Sequence, residues 1–264
     1  MRRFAAALLA AACSACHPVK ADDDSKWAGY ASLGIGLVPR YDGSSTYQIL
    51  PYVEGRLNYG NYYVRFEGGA LRLNLLDSES IHFGPYAGIR RGRGDVTGPV
   101  RFMRHLDDSE TAGAFIEWEH TAHDPRSGEF VTLSADDAVY GERAGGWTAI
   151  LRANARRPLD FVDPGLILSI EGDVTWGSRR YTRTYFGVSP ADSAASGLPT
   201  FDPGSGLATA GVALSLDQFL SRHFSIGLRG HYGRLLGDAG RSPVSTIAGS
   251  PDQYFAGFVL GYVL

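Results

Sequence analysis

Four groupings of residues in this chain could do chemistry. His223-Phe224-Ser225 sets an imidazole and a hydroxyl at i and i+2, which puts both on one face of a strand, where the ring could activate a serine nucleophile. His120 and His123, with Glu117 and Glu119 beside them, have the composition of a metal site. His105 with Asp107 or Asp108 could form an acid–base pair. The fourth set is a series of charges, many spaced by two: Glu54 and Arg56, Arg65 and Glu67, Arg152, Glu171 and Asp173, Arg229 and His231. Such a set could line a polar passage or lock one shut.

What each grouping can do depends on the elements that hold it, and here the dominant signal has period two. Trp27, Gly29, Ala31, Leu33, Ile35 and Leu37 alternate with Ala28, Tyr30, Ser32, Gly34 and Gly36. Ile49, Pro51, Val53, Gly55 and Leu57 alternate with Gln48, Leu50, Tyr52, Glu54 and Arg56, and Leu166, Leu168, Ile170 and Val174 with Ser169, Glu171 and Asp173. Ala208, Ala210, Val212, Leu214 and Leu216 oppose Thr209, Gly211, Ser215 and Asp217. Alternation over about 10 to 13 residues suits a tilted membrane strand better than a soluble one of about 5 or 6. Aromatics such as Trp27, Tyr59, Tyr62, Trp147 and Trp176 fall at segment ends, where an interfacial girdle belongs. The fold expected is an all-β, transmembrane, antiparallel up-and-down β-barrel. The apolar face then meets lipid, and the charged set lines the lumen.

The rest of the composition agrees. Arg2 and Arg3, an apolar stretch over residues 4–12, and Val19-Lys20-Ala21 read as a secretory signal over residues 1–21, leaving a barrel over 22–264. Cys13 and Cys16 lie inside that signal without the branched apolar residue that lipid attachment requires three positions earlier, so the mature chain is expected to start unlipidated at Asp22. Loss of Arg2, Arg3 and Lys20 leaves 22 basic against 28 acidic residues, a net charge of −6. That balance argues against a nucleic-acid partner. The 34 glycines, 14 tyrosines and 13 phenylalanines fit many strands joined by tight turns. No glycine-rich loop follows a strand and opens a helix, so no nucleotide or other cofactor is expected.

The alternation gives twelve strands: 27–38, 46–59, 62–76, 80–92, 110–121, 129–136, 146–157, 165–177, 180–187, 206–218, 223–236 and 253–264. The sixth and ninth are weak, so ten is the alternative. Gly60-Asn61 is a two-residue hairpin. In the third strand the outward set changes parity between Phe66 and Leu71, which predicts a bulge at Gly68-Gly69. With both chain ends in the periplasm, segments 39–45, 188–205 and 237–252 face outward, whereas the long segment 93–109 falls on the periplasmic side.

Several stretches then resemble the MipA/OmpV family. They are Tyr185-Phe186-Gly187-Val188-Ser189 with Ser193-Ala194-Ala195-Ser196-Gly197-Leu198, and Arg234-Leu235-Leu236-Gly237-Asp238 with Ser242-Pro243. Pro39-Arg40-Tyr41-Asp42-Gly43-Ser44 with Leu50-Pro51, and Met103-Arg104-His105-Leu106-Asp107-Asp108, match as well. The resemblance implies a non-enzymatic protein of the cell outer membrane, in contact with its lipid. It further implies a scaffold between a murein-degrading lytic transglycosylase and a murein synthase.

The chemical groupings weaken under this geometry. The pair His223 and Ser225 faces the lumen, away from any lipid substrate, and reads better as a turn-end histidine beside a strand serine. His120 and His123, at i and i+3 on a strand, diverge. His105 with Asp107 or Asp108 reads as a salt-bridged turn. The charged set is expected to fill the lumen, a narrow channel or small-molecule site being the alternative. The candidate partner contact is Arg101, Phe102, Met103, Arg104, His105, Asp107 and Asp108, charged groups with two apolar anchors on the long periplasmic segment. The competing reading folds this segment into the lumen as a plug against Arg65, Glu67 or Arg152.

Overall fold

The alternating rows have no internal core to bury, and they solve this by facing outward all the way round. A computed structural model describes residues 26–264 except 95, 125, 143 and 144, so the expected signal segment, its cleavage point and both cysteines lie outside the described residues. Twelve antiparallel strands close into a barrel: β1 (Trp27–Pro39), β2 (Tyr47–Tyr59), β3 (Tyr62–Glu67), β4 (Ala70–Asn74), β5 (Ile81–Arg90), β6 (Ser109–Thr121), β7 (Gly128–Gly141), β8 (Trp147–Pro158), β9 (Leu166–Gly177), β10 (Gly206–Phe219), β11 (Phe224–Leu235) and β12 (Asp252–Val263). Each strand pairs with its neighbours in sequence, and β1 closes the ring on β12 with Tyr30 opposite Val263 and Leu37 opposite Ala256. Closure removes the sheet edges that lipid could not satisfy, except over a short stretch between β2 and β5.

The outward rows form one apolar belt that includes Leu33, Ile35, Ile116, Leu133, Leu151, Val212, Leu214 and Leu260, all exposed. Paired rings mark its rims, Trp27 on Tyr59 at 4.9 Å at one end and Tyr232 on Tyr254 at 5.3 Å at the other. No helix among the described residues is long and apolar enough to cross a membrane, and the crossing elements are the strands.

The count of twelve matches the expectation, although two of its members differ. The predicted strand 62–76 is two strands, β3 and β4, and Gly68-Gly69 is their hairpin turn, not a bulge. Both glycines have positive φ (57° and 91°), as a tight two-residue hairpin needs. Because residues paired across such a turn share a face, outward Phe66 pairs with outward Leu71 and the parity change follows. The predicted strand 180–187 is instead helix α1 (Arg179–Phe186). Ser178 caps its start by accepting from the Tyr181 amide, and Tyr181 and Tyr185 pack one turn apart, their tilted rings 5.0 Å between centres. In β10 a register shift between Leu207 and Thr209 buries Ala208, which was expected to face lipid.

These changes reverse the placement of the long central segment. Connections 40–46, 91–108, 142–146, 178–205 and 236–251 all emerge at one end of the barrel, and the other end carries the chain termini and shorter turns. The segment 93–109 therefore lies with the other long connections, not opposite them. Helices α1, α2 (Pro190–Ser196), α3 (Gly237–Arg241) and α4 (Pro243–Thr246), with a 3-10 turn at Pro99–Phe102, build a cap over that end.

The short hairpin leaves a notch in the wall. β3 reaches only as far as Glu67 opposite Glu54, and the Gly68 amide donates to the Val53 carbonyl. Beyond that point residues 47–52 of β2 pair with β1 alone, and β5 pairs with β6 alone above Ala87. Val53 directs its backbone groups toward β3, so by period two Pro51 does as well. Proline has no amide to leave unsatisfied on that free edge. Pro85, in the matching row of β5, interrupts the seam on the other side, where β4 and β5 stay in register only at Leu71–Ala87 and Arg72–Tyr86.

Candidate functional site

Two regions could work: the lumen and the cap. In the lumen, like charges sit directly opposite on neighbouring strands, Arg56 across from Arg65 and Glu54 across from Glu67. Such pairs are unfavourable alone, so their partners come from elsewhere. Arg229 on β11 reaches Glu54 at 2.5 Å and Asp217 at 2.8 Å. Arg56 pairs with Glu119 at 2.9 Å and lies over the Tyr63 ring at 4.0 Å. Arg65 pairs with Glu67 at 3.2 Å, and Arg152 approaches Glu171 at 3.9 Å. His231 meets Asp173 at 2.8 Å. Glu117, fully buried, accepts from Tyr63 at 2.9 Å and Thr132 at 2.5 Å.

Two cavities occupy the lumen around this network. Toward the chain termini lies a cavity of about 680 Å³, lined by Glu54, Arg56, Arg65, Glu67, Glu171 and Arg229 among others. Beneath the cap lies a second of about 400 Å³, with walls from Val38, Tyr86, Ile150, Tyr181 and Phe255 and with His231 at its floor. The two share no lining residue.

Sequence reasoning left His82 out of this network altogether, weighed Glu117 and Glu119 only as metal ligands, and placed Asp217 on the polar face of its strand without counting it among the lumen charges. Period two could have found them, since Ile81 and Phe83 flank His82, and Ile116 and Trp118 flank Glu117, on the outward row. The acids Glu117 and Glu119 do meet a histidine, but it is His82 from β5, with ligand atoms of all three within 4.8 Å. Arg56 already pairs with Glu119 and Arg65 lies 4.0 Å from Glu117, so guanidinium charge fills the role a cation would take. His120 stacks on Trp118 at 6.2 Å, in keeping with a rim position. His223 bonds the Val263 carbonyl at 3.0 Å and stacks on Tyr262, whereas Ser225 is buried.

The cap has its own small core of Tyr41, Val100, Met103, Val188, Leu198 and Val244. Each comes from a stretch between strands, and most belong to or adjoin the motifs singled out from the sequence. Met103 is therefore buried, with its side chain spent on the cap core. Phe102 is exposed beside Arg101, whose guanidinium lies 4.4 Å from its ring centre. Arg104 pairs with Glu142 at 2.6 Å, and its amide donates to Asp192 at 2.6 Å. His105 and Asp107 form an exposed pair at 3.2 Å, and Asp108 accepts from the Gly92 amide at 2.8 Å. These residues close the end of the barrel, and Arg65 and Glu67 pair within the wall instead. Arg93 is buried beneath them and donates to the Tyr185 carbonyl at 3.2 Å; burial pushes its pKa down to about 10.

The sequence profile described as "MltA-interacting protein MipA" matches residues 31–264, nearly the whole chain. No curated protein matches. Among solved structures, an outer membrane channel from Pseudomonas putida F1 is similar at 10% identity and TM-score 0.44, over 90% of this chain and 95% of that one. OmpT of Vibrio cholerae is similar at 8% identity and TM-score 0.39, over 93% and 99% of the two chains. OmpF of Salmonella typhi, in complex with daunomycin, is similar at 10% and 0.35, over 93% and 99%.

Proposed function

Because the chain belongs to the MipA family of MltA-interacting proteins, we propose that this outer-membrane-type barrel is a non-enzymatic adaptor. It holds periplasmic murein enzymes, a lytic transglycosylase and a murein synthase, against the membrane. The observation that carries this reading over a pore is the lumen. Arg229 gathers Glu54 and Asp217 into an ion-paired cluster on the inner wall over β10 to β2, and the two lumen cavities share no lining residue. With the chain ends on the periplasmic side, the partners meet the rim of short turns. There Arg126 holds Asp124 and Asp160, both at 2.8 Å, and Arg157 pairs with Glu129. That rim is charged and exposed, which suits a salt-sensitive contact. The cap residues 101–108 lie at the opposite end and play no part in it.

The test is capture of purified lytic transglycosylase and murein synthase on the immobilised, folded barrel at low and high salt. Binding that weakens with salt and with Arg126→Glu supports the adaptor. Absence of binding to either enzyme, together with clear single-channel steps in a planar bilayer, would replace it with a channel.

A further inference from the structure

The notch between β2 and β5 lies in the half of the apolar belt next to the cap. Residues 47–52 of β2 leave a free edge of about 20 Å at ~3.3 Å per residue. Across it, the Gly68-Gly69 turn replaces two strands, so β2 and β5 stand about 14 Å apart at ~4.8 Å per strand spacing. The two most exposed large apolar side chains of any strand are Ile49 and Ile89, at 67% and 62%. They flank this gap from its two sides. Ile89 shares the lipid-facing row of Ile81 and Phe83, yet it also lines the inner cavity of about 400 Å³. At the top of the gap Arg91 donates to the Pro39 carbonyl at 3.3 Å and lines the same cavity.

We propose that this notch is a lateral portal, and that the cavity beneath the cap takes a single-chain anionic amphiphile from the adjoining membrane leaflet. The apolar walls Val38, Ile150 and Phe255 suit a hydrocarbon chain. A cavity of this volume is within the usual range for small-molecule sites. The cavity volume of about 400 Å³ limits the occupant to one such chain. Arg91 supplies the charge. Its guanidinium is partly exposed, spends one donor on Pro39, and has no carboxylate within 4 Å among the described residues. Asp42 and Asp108 act on it from further away. Arg90, by contrast, is neutralised by Asp136 at 2.9 Å.

The experiment uses the folded protein in phosphatidylcholine vesicles containing hexadecanoic acid with a diazirine in its chain. After illumination, mass spectrometry locates the label. Label on inward Val38, Ile150 or Phe255 is expected, and label confined to outward residues such as Leu151 and Val212 would overturn the proposal. Ile150→Trp, which fills the cavity, should remove the inner label. Arg91→Gln should cut it about tenfold for the acid, as expected for loss of one charged hydrogen bond, and leave labelling by the matching photoactivatable alcohol unchanged. An equal fall for both probes would overturn the role of charge. Ile49→Trp with Ile89→Trp narrows the gap. Inner labelling that persists at the wild-type rate in this folded double variant would show another route of entry and sink the portal.

Discussion

Arg229 on β11 and Glu54 on β2 meet inside the lumen at 2.5 Å, over the two strands β12 and β1 that separate them, and the same guanidinium holds Asp217 at 2.8 Å. One side chain thus ties together strands from opposite ends of the sequence. Arg229→Ala would leave two carboxylates without the cation that holds them. We expect a loss of about 3 kcal/mol, the low end for a buried pair because lumen water reaches these groups. The urea midpoint of refolded protein reads this loss, and conductance in planar bilayers should rise. A triple change, Arg229→Met, Glu54→Gln and Asp217→Asn, should recover most of the stability. Equal instability of the triple variant would show that the network matters by shape, not charge.

The hairpin at Gly68-Gly69 makes a sharp prediction about the wall. Both positions have positive φ, so Gly69→Val should cost about 1–2 kcal/mol of backbone strain, whereas Gly68→Asn should be tolerated. The midpoint of heat modifiability on gels distinguishes the two. Indifference to Gly69→Val would mean that the chain does not turn here.

Lipid exposure can be checked by charge. Val212→Arg and Leu214→Arg, both on exposed outward positions, should each cost about 2–4 kcal/mol at mid-depth. Ser169→Arg faces the large lumen cavity and should be milder. Assembly into vesicles, read by gel shift, orders the three.

Asp192 should make the cap sensitive to acid. Burial alone would raise its pKa. The Ser189 hydroxyl and the amides of Arg104 and Ser189 outweigh that and hold the carboxyl below its ordinary value. A depressed carboxyl contributes stability above its unfolded pKa and loses it as pH falls through the folded one. Limited proteolysis of the cap by pepsin should therefore accelerate below about pH 4, in wild type only. Asp192→Asn should give a cap already loosened at neutral pH, cut readily by trypsin after Arg104, with little further change in acid.

The barrel was legible because period two is imposed by the membrane itself, lipid on one face and water or ion pairs on the other. Gly60-Asn61 was readable as a turn for the same reason that Gly68-Gly69 is one, namely positive φ at a tight hairpin. The second was misread because β4 is only five residues long, and Leu71 and Leu73 looked like a continuation of the strand before them. At 181–185 the sequence Tyr-Thr-Arg-Thr-Tyr alternates as a strand would. The tyrosines, however, are also one helical turn apart, and the Ser178 cap decides in favour of α1. These two misreadings cancelled in the strand count and also in the topology beyond α1, but connections lying between them were assigned to the opposite end, among them the 93–109 segment. In the lumen, most of the inward charges followed from parity, and Arg65 meets Glu67 as their spacing suggested, but the long-range partners did not follow. Arg229 and Glu54 are 175 positions apart, and no local pattern links them.

The cap core also fixes an order of events. Tyr41, Met103, Val188 and Val244 come from connections far apart along the chain, and Gln253 on β12 receives the Gly43 amide at 3.2 Å. Contacts of such long sequence separation carry the largest loop-closure cost and form late. The cap is therefore expected to be completed only after β1 has met β12, and a barrel caught before ring closure should have an incompletely sealed mouth. Sealing of the capped end is thus a clock for maturation. A protease that cuts cap loops will tell newly inserted barrels from finished ones.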